Sequence, residues 1–109
     1  MDEYLTRDAE KLLAQLYKRY LEARKSGSTR QNAKFFGSSA DIKESLDLPD
    51  LVEDVDDYCF ELSRHGYLDV LSAGDMASEV ALEDVGIAKL ERRFTDGLRS
   101  VVDFIAKFL

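Results

Sequence analysis

The feature that most constrains the fold is a change in the spacing of apolar residues, from helical to strand-like and back to helical. Between residues 5 and 21 apolar side chains recur at steps of three and four, which predicts a helix of about five turns. The runs 67–71 and 78–82 instead indicate two short strands joined by a loop with Gly and Asp. Helical spacing returns from residue 84. In a chain of 109 residues, this order predicts one α+β domain, residues 1–109.

Glycines divide the first part of the chain into separate helices. The first helix has a basic last turn and is expected to stop at Gly27. Ser28 followed by Gln31 has the spacing of a capping box, which predicts a second, short helix that ends at Gly37. Its apolar residues include the adjacent aromatics Phe35 and Phe36. Because neighbouring side chains of one short helix cannot both point inward, one of the two is expected to cover another element or a partner.

A third short turn or helix over 42–48 is predicted to break at Pro49. Asp50 is then the expected cap of a helix whose apolar stripe runs from Leu51 to Leu62, and Gly66 is placed for a left-handed end to that helix. We call this segment the acidic helix.

Charge is concentrated around the acidic helix. Residues 46–86 contain 12 Asp or Glu and one basic residue, Arg64, so they carry a net charge of −11, whereas the whole chain carries −7. Asp54, Asp57 and Glu61 recur on one helical face. The face has three interpretations: a solvated polar surface, a docking surface for a basic partner, or a metal site. A calcium loop needs a central Gly, which residues 50–61 lack. The candidate protein-docking residues are Glu53, Asp54, Asp57 and Glu61.

Basic residues are frequent only in the first two predicted helices. In helix-turn-helix proteins such helices contact the DNA backbone, and phosphate contacts position a protein without specifying sequence. The alternative is an ordinary mixed-charge surface, since acidic residues are interleaved. The candidate phosphate-contacting residues are Lys18, Arg19, Arg24, Lys25, Arg30 and Lys34.

Catalytic chemistry has little support in this sequence. The lone Cys59 lies on an apolar stripe among acidic neighbours, and the lone His65 lies beside Gly66 at a helix end, so both are expected to be structural. No nucleotide-binding loop, zinc-ligand spacing or nucleophile elbow is present. We therefore expect a non-enzymatic protein with no cofactor and no metal. A single cysteine, the lack of an apolar leader and the lack of a long apolar run predict a cytoplasmic protein with no membrane segment.

Two stretches resemble winged-helix bacterial regulators of the MarR and PadR type. Leu-Ser-Arg-His-Gly-Tyr-Leu at 62–68 is similar to the junction in which the third helix of those proteins ends at Gly and enters the first wing strand. Val-Ala-Leu-Glu-Asp-Val-Gly-Ile-Ala-Lys-Leu-Glu at 80–91 is similar to the pattern that follows the wing, with Glu83 in place of the usual Thr cap. Asp84 is therefore the expected cap of the last helix.

The resemblance implies a winged helix-turn-helix with three N-terminal helices, a two-stranded wing and a long C-terminal helix over 84–109. If continuous, this last helix has about 26 residues, and residues 95–97 are the place where it can be interrupted. In PadR-type proteins this helix mediates dimerisation, which implies a homodimer here. The dimer residues would be Leu98, Val101, Val102, Ile105 and Phe108.

The acidic helix occupies the position of the DNA reader in such proteins, so two functions stay open. One is a module of the transcription-regulator type, in which any DNA contact uses the first two helices. The other is a protein-interaction adaptor on the same scaffold that does not bind DNA and contacts a basic protein through the acidic helix. The two differ in the sign of charge expected on the partner.

Overall fold

Helices and strands alternate along the chain, and the strands form an antiparallel sheet. The computed structural model describes residues 4–108. Residues 1–3 and Leu109, the last residue of the predicted C-terminal helix, lie outside the described part. Within residues 4–108, six helices and a three-stranded antiparallel sheet confirm the α+β class. The elements are α1 (Arg7–Lys25), α2 (Arg30–Ala33), β1 (Phe35–Gly37), α3 (Ser39–Ser45), α4 (Val52–Arg64), β2 (Leu68–Ala73), β3 (Met76–Leu82), α5 (Asp84–Arg93) and α6 (Leu98–Ala106).

Helix α1 forms the centre of the fold and begins and ends where the sequence indicates. The Thr6 hydroxyl accepts a hydrogen bond from the backbone N–H of Ala9 at its start. At its end Gly27 has φ +99°, and the N–H of Ser28 donates to the carbonyl of Ala23 at 3.0 Å. One face of α1 is buried in the core, including Leu12, Leu13, Leu16, Tyr17 and Tyr20.

The sheet has strand order β1-β3-β2, so the prediction of two strands is incomplete. Helix α2 has only four residues and is capped by Thr29 rather than Ser28. Residues 35–37, which were predicted to continue this helix, form β1 instead, because Phe35 pairs with Ala81 of the central strand. Adjacent strand residues point to opposite faces, so Phe36 packs against the core while Phe35 is exposed.

Helices α3 and α4 connect β1 to β2, and α4 is the acidic helix. A capping box is present at the start of α3, where Ser38 and Asp41 bond to each other's backbone N–H groups. Asp50 was predicted to cap α4, and this prediction is wrong. Leu51 occupies the cap position, and no side chain caps the helix. The predicted end at Gly66 is confirmed: Gly66 has φ +82°, and the N–H of Tyr67 donates to the carbonyl of Leu62 at 3.0 Å.

The prediction of one long C-terminal helix over 84–109 is wrong, since α5 and α6 are separate. Gly97 has φ +61° and ψ −128°, a conformation outside the helical region, and it breaks the chain at the predicted place of interruption. The break lets α6 fold back along α1. Phe94 stacks on Tyr17 with ring centroids 6.0 Å apart, and the Arg7 guanidinium lies 4.9 Å from the centre of the Phe108 ring.

Helix α5 approaches the end of α4 closely at Gly86. A Cβ atom on Gly86 would lie 2.7 Å from the carbonyl oxygen of Tyr67 and 2.8 Å from its Cα. The same carbonyl accepts a hydrogen bond from the N–H of Glu83 at 2.9 Å. The two stretches that resemble bacterial regulators are therefore in contact with each other, and Gly86 is the residue that permits the contact.

None of the helices within residues 4–108 combines the length and the apolar composition that crossing a lipid bilayer requires.

Candidate functional site: an acidic groove beside α4

A groove of about 430 Å³ lies between the first turns of α4 and the β2–β3 turn. Its acidic lining comes from Glu53 and Asp57 of α4 and from Asp75 of the turn, and Phe60 of α4 lines it as well. The three carboxylates belong to exposed residues, whereas Phe60 is partly buried. The turn is tight because Gly74 adopts φ +63°, which a residue with a Cβ rarely adopts. The groove thus presents negative charge together with an aromatic ring.

Asp56 fixes the turn against α4. It is 7% exposed, and its carboxylate accepts a hydrogen bond from the backbone N–H of Ala77 at 2.8 Å. No role was predicted for Asp56 from the sequence. The position of Asp56 in the sequence was a signal for burial. It follows Val55 and lies three residues before Cys59, so it belongs to the buried face of the helix. A carboxylate in that position needs a donor, and β3 supplies one.

The predicted docking face is divided by the fold. Glu53, Asp54 and Asp57 are exposed on α4, and Glu53 and Asp57 line the groove. Glu61 has a structural partner instead: its carboxylate accepts from the Thr6 backbone N–H at 2.7 Å and from the Thr6 hydroxyl at 2.8 Å. Within the described residues, no three His, Cys, Asp or Glu side chains are grouped so as to hold a metal ion.

The basic candidates line different grooves, although Arg30 and Lys34 meet at Asp84. Lys18 and Arg19 line a groove between α1, α3 and α6, Arg24 and Arg30 line another beside α5, and Lys34 lies at the outer face of the sheet. Most have partners inside the chain, and Lys25 is exposed at the end of α1. The contacts are Lys18 to Glu22 at 3.8 Å, Arg19 to the Ser45 carbonyl at 3.2 Å, Arg24 to the Ser28 carbonyl at 3.0 Å, and both Arg30 and Lys34 to Asp84 at 3.0 Å.

Asp84 was expected to cap α5, and this expectation is wrong. Helix α5 has Glu83 at its cap position and no side-chain cap hydrogen bond. The Asp84 carboxylate instead accepts from the Lys34 ammonium, and this hydrogen bond is the main reason that the pKa of Asp84 is lowered below its ordinary value. Two of the cations proposed for phosphate contact are therefore already paired with an anion.

The residues proposed for dimerisation are mostly used inside the chain. Val101 is fully buried, and Leu98, Ile105 and Phe108 are partly buried. Phe104, which the prediction did not include, makes edge contacts with the rings of Phe94 and Phe108. Val102 is the member of the set that stays exposed, at 46%. Because α6 folds back on α1, it offers less free apolar surface than a projecting helix would.

Cys59 lies in the core, and His65 lies at the end of α4. Cys59 is fully buried on the apolar side of α4, and burial, with a smaller effect of Asp56, raises the pKa of its thiol to about 12. Its nucleophilic thiolate is therefore scarce at neutral pH. His65 is the C-cap residue of α4, and its backbone N–H donates to the Glu61 carbonyl at 3.2 Å.

The buried thiol predicts loss of stability in alkali. The ordinary pKa of 9.0 applies to the unfolded chain, and the folded value is about 12, so the folded state holds its proton more tightly. The contribution is complete below pH 9 and is lost as the pH rises towards 12, by up to about 1.4 kcal/mol per pH unit for one group. Burial also raises the pKa of Tyr17 from 10.0 to about 12, which adds a loss above pH 10.

Urea denaturation between pH 8 and 11 measures this effect, with Cys59→Ala as the control. The wild-type free energy of unfolding should begin to fall near pH 9, and that of Cys59→Ala should begin to fall only near pH 10. Parallel curves for the two proteins would contradict the assignment.

Comparison with protein-family models, curated proteins and solved structures finds no match to this chain. What it does is therefore inferred from its own surface.

Proposed function

We propose that the protein is a non-enzymatic adaptor with winged-helix architecture that binds a basic protein surface in the groove between α4 and the β2–β3 turn. The order of elements supports the architecture. The chain has two helices, a strand, two helices, two strands and two final helices, and the β2–β3 hairpin that directly follows α4 is what a wing would be. In that arrangement α4 has the position of the helix that reads DNA.

The observation that carries the proposal is the charge of the groove. Glu53, Asp57 and Asp75 are exposed carboxylates around one concavity, in a segment with a net charge of −11. A DNA duplex is a dense polyanion, and bringing like charges together at an interface costs several kcal/mol. A basic protein surface meets the same carboxylates favourably, and an Arg or Lys side chain also gains from the Phe60 ring.

The other function, a transcription-regulator-type module that contacts DNA through its first two helices, has less support. Its candidate cations are divided between different grooves, and two of them, Arg30 and Lys34, are paired with the Asp84 carboxylate that they share. Homodimerisation stays a proposal with a small surface, the exposed Val102 beside the partly buried Ile105. A cytoplasmic location is proposed from the free thiol of Cys59.

The test titrates the ¹⁵N-labelled protein at low salt with a synthetic peptide rich in Arg and Lys, and separately with duplex DNA of random sequence. The peptide should shift the amide signals of α4 and the β2–β3 turn, and DNA should not. The variant Glu53→Gln/Asp57→Asn/Asp75→Asn should weaken peptide binding by about tenfold, a loss of about 1.4 kcal/mol. Glu61 is left unchanged because it bonds to Thr6.

A matched control removes three exposed carboxylates elsewhere, as Glu44→Gln/Asp96→Asn/Asp103→Asn. It changes the net charge equally, so it should weaken binding only about twofold through long-range electrostatics. Equal losses in the two variants would contradict a defined docking groove. Selective binding of one DNA sequence would favour the regulator instead.

A further inference from the structure

The outer face of the sheet carries two large apolar side chains in contact with solvent. Phe35 of β1 is 53% exposed and Leu71 of β2 is 58% exposed. Both point away from the core, because the inward positions of the strands are filled by residues such as Val80 and Leu82. The two side chains lie on the outer strands, and together with Ala81 of the central strand they line one hollow.

The small side chain of Ala81 separates Phe35 from Leu71 and makes the face concave. Ala81 belongs to the central strand, where it pairs with Phe35 on one side and with Asp69 on the other. Leu71 is paired one row further along, with Glu79. The resulting hollow has a volume of about 160 Å³. We call it the sheet hollow.

Acidic residues surround the sheet hollow. Asp69, Glu79 and Glu83 line it, and Asp84 lines it as well. The one ammonium group in the lining, that of Lys34, is held 3.0 Å from Asp84. The remaining carboxylates leave the rim negative around an apolar floor.

We propose that the sheet hollow binds a peptide segment of another protein in which an apolar side chain lies beside a basic one. The apolar side chain would contact Phe35, Ala81 and Leu71, and the basic one would meet the carboxylates of Asp69 and Glu79. A second copy of this chain is a poorer occupant, because two copies of the same face would bring acidic rims together. The hollow shares no lining residue with the α4 groove, so this site is independent of the proposed function.

The probe is a synthetic hexapeptide of alternating Lys and Leu, titrated into the ¹⁵N-labelled full chain. Amide signals of Phe35, Leu71 and Ala81 should shift. The variant Phe35→Ser/Leu71→Ser should weaken binding at this site by at least about tenfold. Because both side chains are exposed, its melting temperature should stay close to that of the wild type. The matched control Leu51→Ser/Val102→Ser also removes two exposed apolar side chains and should bind normally.

Two further arms separate the apolar and charged contributions. A peptide with Ser in place of Leu, and the variant Asp69→Asn/Glu79→Gln with the original peptide, should both bind several-fold more weakly. Unchanged affinity in Phe35→Ser/Leu71→Ser, or equal binding of the Ser-containing peptide, would overturn the proposal. So would a homodimer in sedimentation that the Phe35→Ser/Leu71→Ser variant dissociates. The variant Glu53→Gln/Asp57→Asn/Asp75→Asn should retain the Phe35 and Leu71 shifts, which separates this site from the α4 groove.

Discussion

Replacing Gly86 with alanine should destabilise the fold by about 2 kcal/mol, although alanine is the better helix former. The new methyl group would lie 2.7 Å from the Tyr67 carbonyl oxygen and 3.1 Å from its carbonyl carbon. Both are backbone atoms, so they cannot rotate away as a flexible side chain can. The contact also includes the hydrogen bond from Glu83 to the same carbonyl, which the displacement would lengthen.

The sign of the change makes the experiment decisive. In an open helix, glycine to alanine stabilises by about 1 kcal/mol. Ala88 is exposed on the same helix, so Ala88→Gly should cost about 1 kcal/mol and shows what α5 prefers where space is free. Urea denaturation of the two variants gives the comparison. A Gly86→Ala protein as stable as the wild type would mean that α5 does not rest on Tyr67.

Replacing Asp56 with alanine should cost about 2–3 kcal/mol of unfolding free energy. The change leaves the Ala77 N–H without its acceptor in a buried position, and hydrogen bonds to charged groups are worth about 1.5–3 kcal/mol. Asp56→Asn should lose less, because the amide oxygen can still accept from Ala77. The neighbouring Asp57 is exposed, and Asp57→Ala should change stability by no more than about 0.5 kcal/mol.

Hydrogen exchange at Ala77 provides the local measurement. Its amide should exchange much faster in Asp56→Ala than in Asp57→Ala. Equal exchange in the two variants would show that the carboxylate of Asp56 does not hold the strand, whatever the global stability.

Local patterns in the sequence were sufficient for the elements that depend on neighbouring residues. The spacing of apolar residues predicted α1, α4 and the β2–β3 hairpin, and glycine predicted where α1 and α4 end. The strand β1 was not predicted, because three residues carry too little periodicity and its conformation depends on pairing with Ala81. One long last helix was predicted with 95–97 as its place of interruption, and the break itself was not predicted because it depends on Gly97 adopting φ +61° in the folded chain.

In the candidate site too, features of a single helix could be predicted and contacts between distant segments could not. That α4 carries an acidic face could be read from its spacing, and Glu53, Asp54 and Asp57 are exposed as expected. The partners of Glu61 and Asp84 could not be read, because they lie 55 and 50 residues away in the chain. Asp75 could not be predicted as a wall of the groove either, since only the folded hairpin brings its turn to α4.

The bond between Glu61 and Thr6 has a consequence for the start of the first helix. The first helix is made early, yet the carboxylate that holds its beginning belongs to a residue 55 positions later. Thr6 caps α1 through its own hydroxyl, a contribution of about 1 kcal/mol, and Glu61 holds this cap residue through both its N–H and its hydroxyl. An interaction between residues 55 positions apart in the chain therefore ties the start of the first helix to α4, so a change in α4 is also expected to loosen the beginning of α1.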